Sequence, residues 1–231
     1  MIFFSRLKKK CNKDMENKNT QTEIVVILDR SGSMRSIGKS TVEGFNTFLD
    51  EQQNSEGEAF LTLVQFDDRY EIDYKSTPIK EVAPLILNET FVPRGNTALF
   101  DAVGKTIEEL ETDRDVILVI ITDGHENSSS TYKREAIMKM IETKEKEDGW
   151  KVLFLAANQD AIAAGASIGV HSSKSMTWGT DDASVQNTYM NFSANIASYR
   201  SAKLSKLDLD DESLKDVLSF SQEQREESKK S

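Results

Sequence analysis

Glu23-Ile24-Val25-Val26-Ile27-Leu28-Asp29-Arg30-Ser31-Gly32-Ser33 decides the architecture. Residues 24–28 are uniformly apolar and mostly β-branched, as in a strand buried on both faces. Such a strand sits inside a parallel sheet with helices above and below, and here it breaks directly into a polar loop. A second run, residues 116–121, is even more apolar and breaks into Thr122-Asp123-Gly124. Between the two, Val42, Phe45 and Phe48/Leu49 recur at helical spacing, and so do Leu99, Val103, Ile107 and Leu110. Residues 60–66 and 70–74 read as strands joined by the short Asp67-Asp68-Arg69 turn. That closeness requires a hairpin, so the second of them is an antiparallel edge strand.

The alternation continues downstream. Ile137, Met140 and Ile141 mark a helix that runs out in the charged stretch 144–148 and Gly149. A strand at 150–156, a short Ala-rich helix at 160–168 and a weak polar strand at 170–177 follow. Val185, Tyr189, Phe192, Ile196 and Tyr199 then lie on one face of a helix. The pattern predicts a doubly wound α/β domain over residues 22–203. Its sheet would be mainly parallel and six-stranded, with one antiparallel edge strand and helices on both faces. Residues 204–231 read as an acidic, solvated tail with one short helix around Leu214, Val217 and Leu218. Residues 1–21 read as a basic, disordered arm, with Met15 as a second candidate translation start.

Composition narrows the function. With 38% hydrophobic and 29% charged residues the chain has a globular balance. The net charge is −10, with +4 on residues 1–20 and −14 on the rest. An acidic body repels phosphate backbones, so nucleic-acid binding is not expected. No apolar run approaches the roughly 20 residues that span a bilayer, so membrane insertion is not expected either. Cys11 is the only cysteine, which excludes an intramolecular disulfide and points to a reducing compartment.

Open α/β sheets bind ligands beyond the carboxyl ends of their strands, where strand order reverses. Three loops meet that description: 29–33, 94–97 and 122–124. Through Asp29, Ser31, Ser33, Thr97 and Asp123 they offer two carboxylates and three hydroxyls, with no imidazole or thiolate. Hard oxygen donors select Mg²⁺, Ca²⁺ or Mn²⁺. A tight turn at Gly32 can aim positions i, i+2 and i+4 at one point. Neutral hydroxyls would leave such a cation under-neutralised and able to accept an outside anion. Without a cation, Asp29 and Asp123 would face each other as like charges, which raises at least one pKa.

Asp29-Arg30-Ser31-Gly32-Ser33, Gly95-Asn96-Thr97 and Thr122-Asp123-Gly124 resemble the complete metal-ion-dependent adhesion site of von Willebrand factor A domains. The resemblance covers about four fifths of the chain. It implies that Asp29, Ser31 and Ser33 bind the metal through oxygens or waters, with Thr97 and Asp123 completing the shell. It further implies a protein-binding module, free-standing and cytoplasmic in a bacterial or phage-infected cell, that docks an Asp or Glu of a partner protein. Arg30, Met34, Arg35, Arg94, Asn96 and His125 would form the rim. The three arginines would lend that rim local positive charge.

Other readings compete. Gly38-Lys39-Ser40 suggests a P-loop NTPase, but the upstream glycine falls one residue out of register, at Gly32. Asp29 as an aspartyl nucleophile would want a second acid where Ser31 stands, and no nucleophile–base pair appears elsewhere. An enzyme is therefore not expected. A structural protein whose metal only braces the fold is the remaining alternative. His125 and Glu126 read as solvated loop residues, Asp67 and Asp68 as turn residues, Trp178 as a loop anchor, and His171 has no assigned role.

Overall fold

In the computed structural model, residues 20–157, 160–205 and 211–229 are described. The basic arm expected over residues 1–21 falls almost wholly outside them. Six strands form one sheet: β1 (Thr22–Asp29), β2 (Ala59–Phe66), β3 (Tyr70–Pro78), β4 (Asp115–Thr122), β5 (Lys151–Ala157) and β6 (Ser175–Trp178). Their order is β3-β2-β1-β4-β5-β6. Only β2 and β3 pair antiparallel, with Phe66 opposite Tyr70 at the hairpin end. All other pairings are parallel. Strand order reverses between β1 and β4, the location that favours a ligand site.

The helices are α1 (Gly38–Asn54), α2 (Leu99–Glu109), α3 (Arg134–Glu147), α4 (Ala161–Ser167), α5 (Asp182–Leu204), α6 (Asp211–Asp216) and α7 (Gln222–Glu227). Successive β1 residues point to opposite faces, and each face has its own core. Ile24, Val26 and Leu28 pack with Phe45 and Phe48 of α1 and Tyr189, Phe192 and Ile196 of α5. Val25 and Ile27 pack with Leu99, Val103 and Ile107 of α2 and Ile137 and Ile141 of α3. This two-sided burial is why β1 and β4 tolerate no polar residue in mid-strand. Helices α1 and α5 approach closely at Gly44, where a Cβ would lie 2.4 Å from a Tyr189 ring carbon.

Three expectations need correction at the carboxyl end. The last strand is the four-residue β6, not 170–177. Val170 N–H instead donates to Gly165 O at the end of α4, and His171 Nδ1 accepts from Ser173 N–H to cap a short 3₁₀ turn. Trp178 is the final residue of β6 and is buried rather than a loop anchor.

The described part of the tail, expected to be solvated beyond one helix, is docked. Leu218 and Phe220 are buried in the α1–α5 core, and Phe220 N–H donates to Ser173 O. The Arg225 guanidinium binds the carbonyls of Ser172, Ser173 and Ser175. It thereby covers the edge of β6 that would otherwise offer unpaired backbone groups. Ser221 and Gln224 form a reciprocal capping box that starts α7. Leu218→Ala should lower unfolding free energy by about 2–4 kcal/mol in a urea melt. A change within about 0.5 kcal/mol, the usual size for a surface substitution, would show that the tail is not part of the folded core.

Candidate metal centre

Strand β1 delivers Asp29 to the switch point with no solvent exposure. One carboxylate oxygen accepts from Ser31 N–H at 2.6 Å, folding the loop back over its own strand. The other accepts from Thr122 Oγ at the end of β4, also at 2.6 Å. The turn then aims Ser31 Oγ at Ser33 Oγ, 3.0 Å away, and Ser33 Oγ donates to Asp123 Oδ1 at 2.6 Å. A Cβ built on Gly124 would stand 3.0 Å from Thr97 Oγ and 3.5 Å from Ser33 Oγ. Thus the oxygens of Asp29, Ser31, Ser33, Thr97 and Asp123 gather at one point from three loops. Asp29 is the floor of the site, and exposed Ser33 is its mouth.

The middle loop is held by backbone contacts. Gly95, at φ +67°, brings its carbonyl to Gly32 N–H at 3.1 Å. Thr97 N–H donates to Asn127 Oδ1, and Thr97 O accepts from Asn127 and Ser128 N–H. Glu126 is no solvated residue. Its carboxylate accepts from the N–H groups of Phe100, Ser128 and Ser129 and so ties the β4 loop to the start of α2. Asn127 and Glu126 are the positioning residues that sequence reasoning missed. Their only sequence signal is that they directly follow the Thr122-Asp123-Gly124 loop.

Burial pushes the Asp29 carboxyl up to about 6, against the opposing hydrogen bonds from Thr122 and Ser31. The charge of Asp123 is the smallest named contribution, so burial rather than like-charge repulsion governs this site. The Asp123 carboxyl is also raised by burial, with the Ser33 hydrogen bond opposing. Two desolvated carboxylates beside converging hydroxyls are a donor set that fits a hard divalent cation. Among the described residues no group of three or more His, Cys, Asp or Glu side chains is placed to hold a metal ion. The hydroxyls are therefore needed to complete any shell.

The rim differs from expectation. Arg30 is buried and pairs with Asp67 at 3.2 Å and Glu71 at 2.8 Å. Arg94 pairs with the same two acids, at 2.8 and 2.7 Å. These two guanidinium charges are neutralised by the β2–β3 hairpin, so they do not give the rim free positive charge. Asp67 lies in the turn as expected but is fully buried as their shared acceptor. Met34 is a core residue, absent from the surface. Arg35, Asn96 and His125 are exposed around the mouth, with Arg35 also donating to Pro93 O. The Gly38-Lys39-Ser40 stretch forms the first turn of α1. Lys39 points to solvent near Glu43 and Ser40 donates to Asp182, so no phosphate loop forms there.

The family model for the von Willebrand factor type A domain matches residues 23–200. The chain belongs to that family. Solved structures agree in fold. Proximal thread matrix protein 1 from the mussel byssus, a structure with a zinc-occupied adhesion-site motif, is similar at TM-score 0.56 and 14% identity. The match covers 81% of this chain and 47% of that one. A von Willebrand factor type A protein from Catenulispora acidiphila matches at TM-score 0.53 and 13% identity, over 77% and 42% of the two chains. This chain therefore spans less than half the length of those structures. No curated protein sequence matches significantly. Members of this family use a divalent metal at their adhesion site.

The raised Asp29 pKa has a signed consequence for the metal-free domain. Its carboxyl contributes stability fully below the unfolded value near 3.8, and that contribution is lost as pH rises through about 6. The loss is on the order of 3 kcal/mol. In chelator, wild type should therefore lose stability relative to Asp29→Asn between pH 4 and 7.5. Parallel pH profiles for the two proteins would contradict it.

Proposed function

We propose that this domain is a metal-dependent docking module that carries out no bond-breaking chemistry. Asp29, Ser31, Ser33, Thr97 and Asp123 would form a complete adhesion site, with Mg²⁺ as the first choice and Ca²⁺ or Mn²⁺ as substitutes. A bound cation would supply a coordination position open to an Asp or Glu carboxylate of a protein partner. The observation that carries this reading is the convergence of two buried carboxylates and three hydroxyls at the switch point.

The surroundings support docking over catalysis. Ser33 is hydrogen-bonded to a carboxylate and a second hydroxyl rather than to an imidazole. His125 is exposed at the rim, and His171 is engaged in a capping turn. Exposed Arg35, Asn96 and His125 are the residues that would choose the partner. The setting we propose is the cytoplasm of a bacterial or phage-infected cell, a reading supported by the lone Cys11.

Calorimetry should give a one-site Mg²⁺ isotherm that Asp29→Asn abolishes. Metal at a hundredfold excess over its dissociation constant should add about 2.7 kcal/mol of stability. Thr97→Ala should keep Mg²⁺ binding yet lose most partner capture. Partners captured in Mg²⁺ should elute with chelator more readily than with high salt. Capture indifferent both to chelator and to Asp29→Asn would overturn metal-mediated docking and leave the site as a structural brace.

A further inference from the structure

A cavity of about 380 Å³ opens beside the metal loop, between the start of α2, the turn after β4, and α4. Leu99, Phe100, Phe154, Ala163, Ala164 and Ile168 make its wall apolar. Leu99, Phe154 and Ile168 belong to the core beneath, so the wall is rigid. Exposed Ile162 extends the apolar surface on α4. Gly124 joins the two sites: it lines the cavity, while its missing Cβ leaves room for Thr97 Oγ and Ser33 Oγ. The cavity thus begins one residue beyond Asp123.

The charged groups at the mouth are unequally engaged. Glu126 uses both carboxylate oxygens on backbone N–H groups. Asp160 uses its carboxylate to cap α4. Arg134, exposed at the start of α3, makes no ion pair with any described residue. An uncommitted cation beside an apolar hollow, next to a site for a carboxylate, matches an acidic segment that carries one apolar anchor. The volume is ample for one leucine or aromatic side chain.

Resting on the docking reading above, we propose that the cavity seats a leucine or aromatic side chain of the same partner segment whose carboxylate docks at the metal. Arg134 pairs with a second acidic residue of that segment. The metal supplies the requirement for an acid, and the cavity supplies the choice among acidic partners. Burial of one such side chain is worth about tenfold or more in affinity.

The test uses fluorescence polarisation of the full chain with two labelled pools of synthetic peptides. Both pools fix one central Asp and a second acid. In one pool the residues flanking the central Asp are Leu or Phe, and in the other they are Ser or Asn. In Mg²⁺ the apolar pool should bind about tenfold tighter. Ala163→Trp, which fills the cavity from its exposed wall, should remove that difference while Mg²⁺ still raises Tm as in wild type. Arg134→Gln should weaken the apolar pool and reduce its salt dependence. Equal binding of the pools, or a preference that survives Ala163→Trp, overturns the cavity and leaves metal docking standing. A preference unchanged by chelator separates the cavity from the metal and overturns the joint proposal. Binding by neither pool counts against both readings.

Discussion

The carboxylate of Asp29 is the constraint on which the functional end of the molecule depends. It ends β1, bonds to Thr122 at the end of β4, and holds Ser31 N–H so that the loop turns back. One buried group therefore sets both the separation of the two strand ends and the path of the chain between them. An unpaired buried carboxylate is costly, and its hydrogen bonds only partly offset burial. A cation at the same point would remove the remaining cost. Geometry and electrostatics ask for the same ligand.

Around this point the structure spends charge on positioning. Arg30 and Arg94 reach from the first and second loops to the same two acids of the β2–β3 hairpin. Arg94 N–H also donates to Arg30 O. Glu126 performs the corresponding task for the third loop and the start of α2. Asp101 accepts from the N–H groups of Ser130, Thr131 and Tyr132 and fixes the path from that loop into α3. Ligand side chains borne on three loops can converge only if each loop is anchored. The first two share the hairpin acids Asp67 and Glu71, and Glu126 anchors the third.

Where burial is two-sided, the fold was legible from the residues. Uniform apolarity at 24–28 and 116–121 has one physical cause, and helical spacing marked α1, α2, α3 and α5. The site's donor set was legible for a related reason, since short loops after buried strands leave few places for Asp, Ser and Thr to point. The rest depended on partners distant in sequence. Arg30 looks like a rim residue until Asp67 and Glu71 arrive from the hairpin. Met34 looks exposed until its 3₁₀ turn folds inward onto the core. Leu218 reads only as part of a short solvated helix and Phe220 falls in a polar stretch, and the open edge of β6 with the adjoining core explains their burial. Glu126 reads as solvated and Asn127 draws no reading, because a carboxylate or amide bonded to backbone N–H groups leaves no pattern in the sequence.

The most direct test is crystallographic. A crystal of the wild-type protein soaked in Mn²⁺ should show one strong anomalous peak within coordination distance of Asp29, Ser31, Ser33, Thr97 or Asp123 oxygens. Any remaining positions around it should be filled by water or by a carboxylate from a neighbouring molecule. A peak elsewhere, or none at saturating Mn²⁺, would contradict the account that these buried oxygens are arranged around a cation.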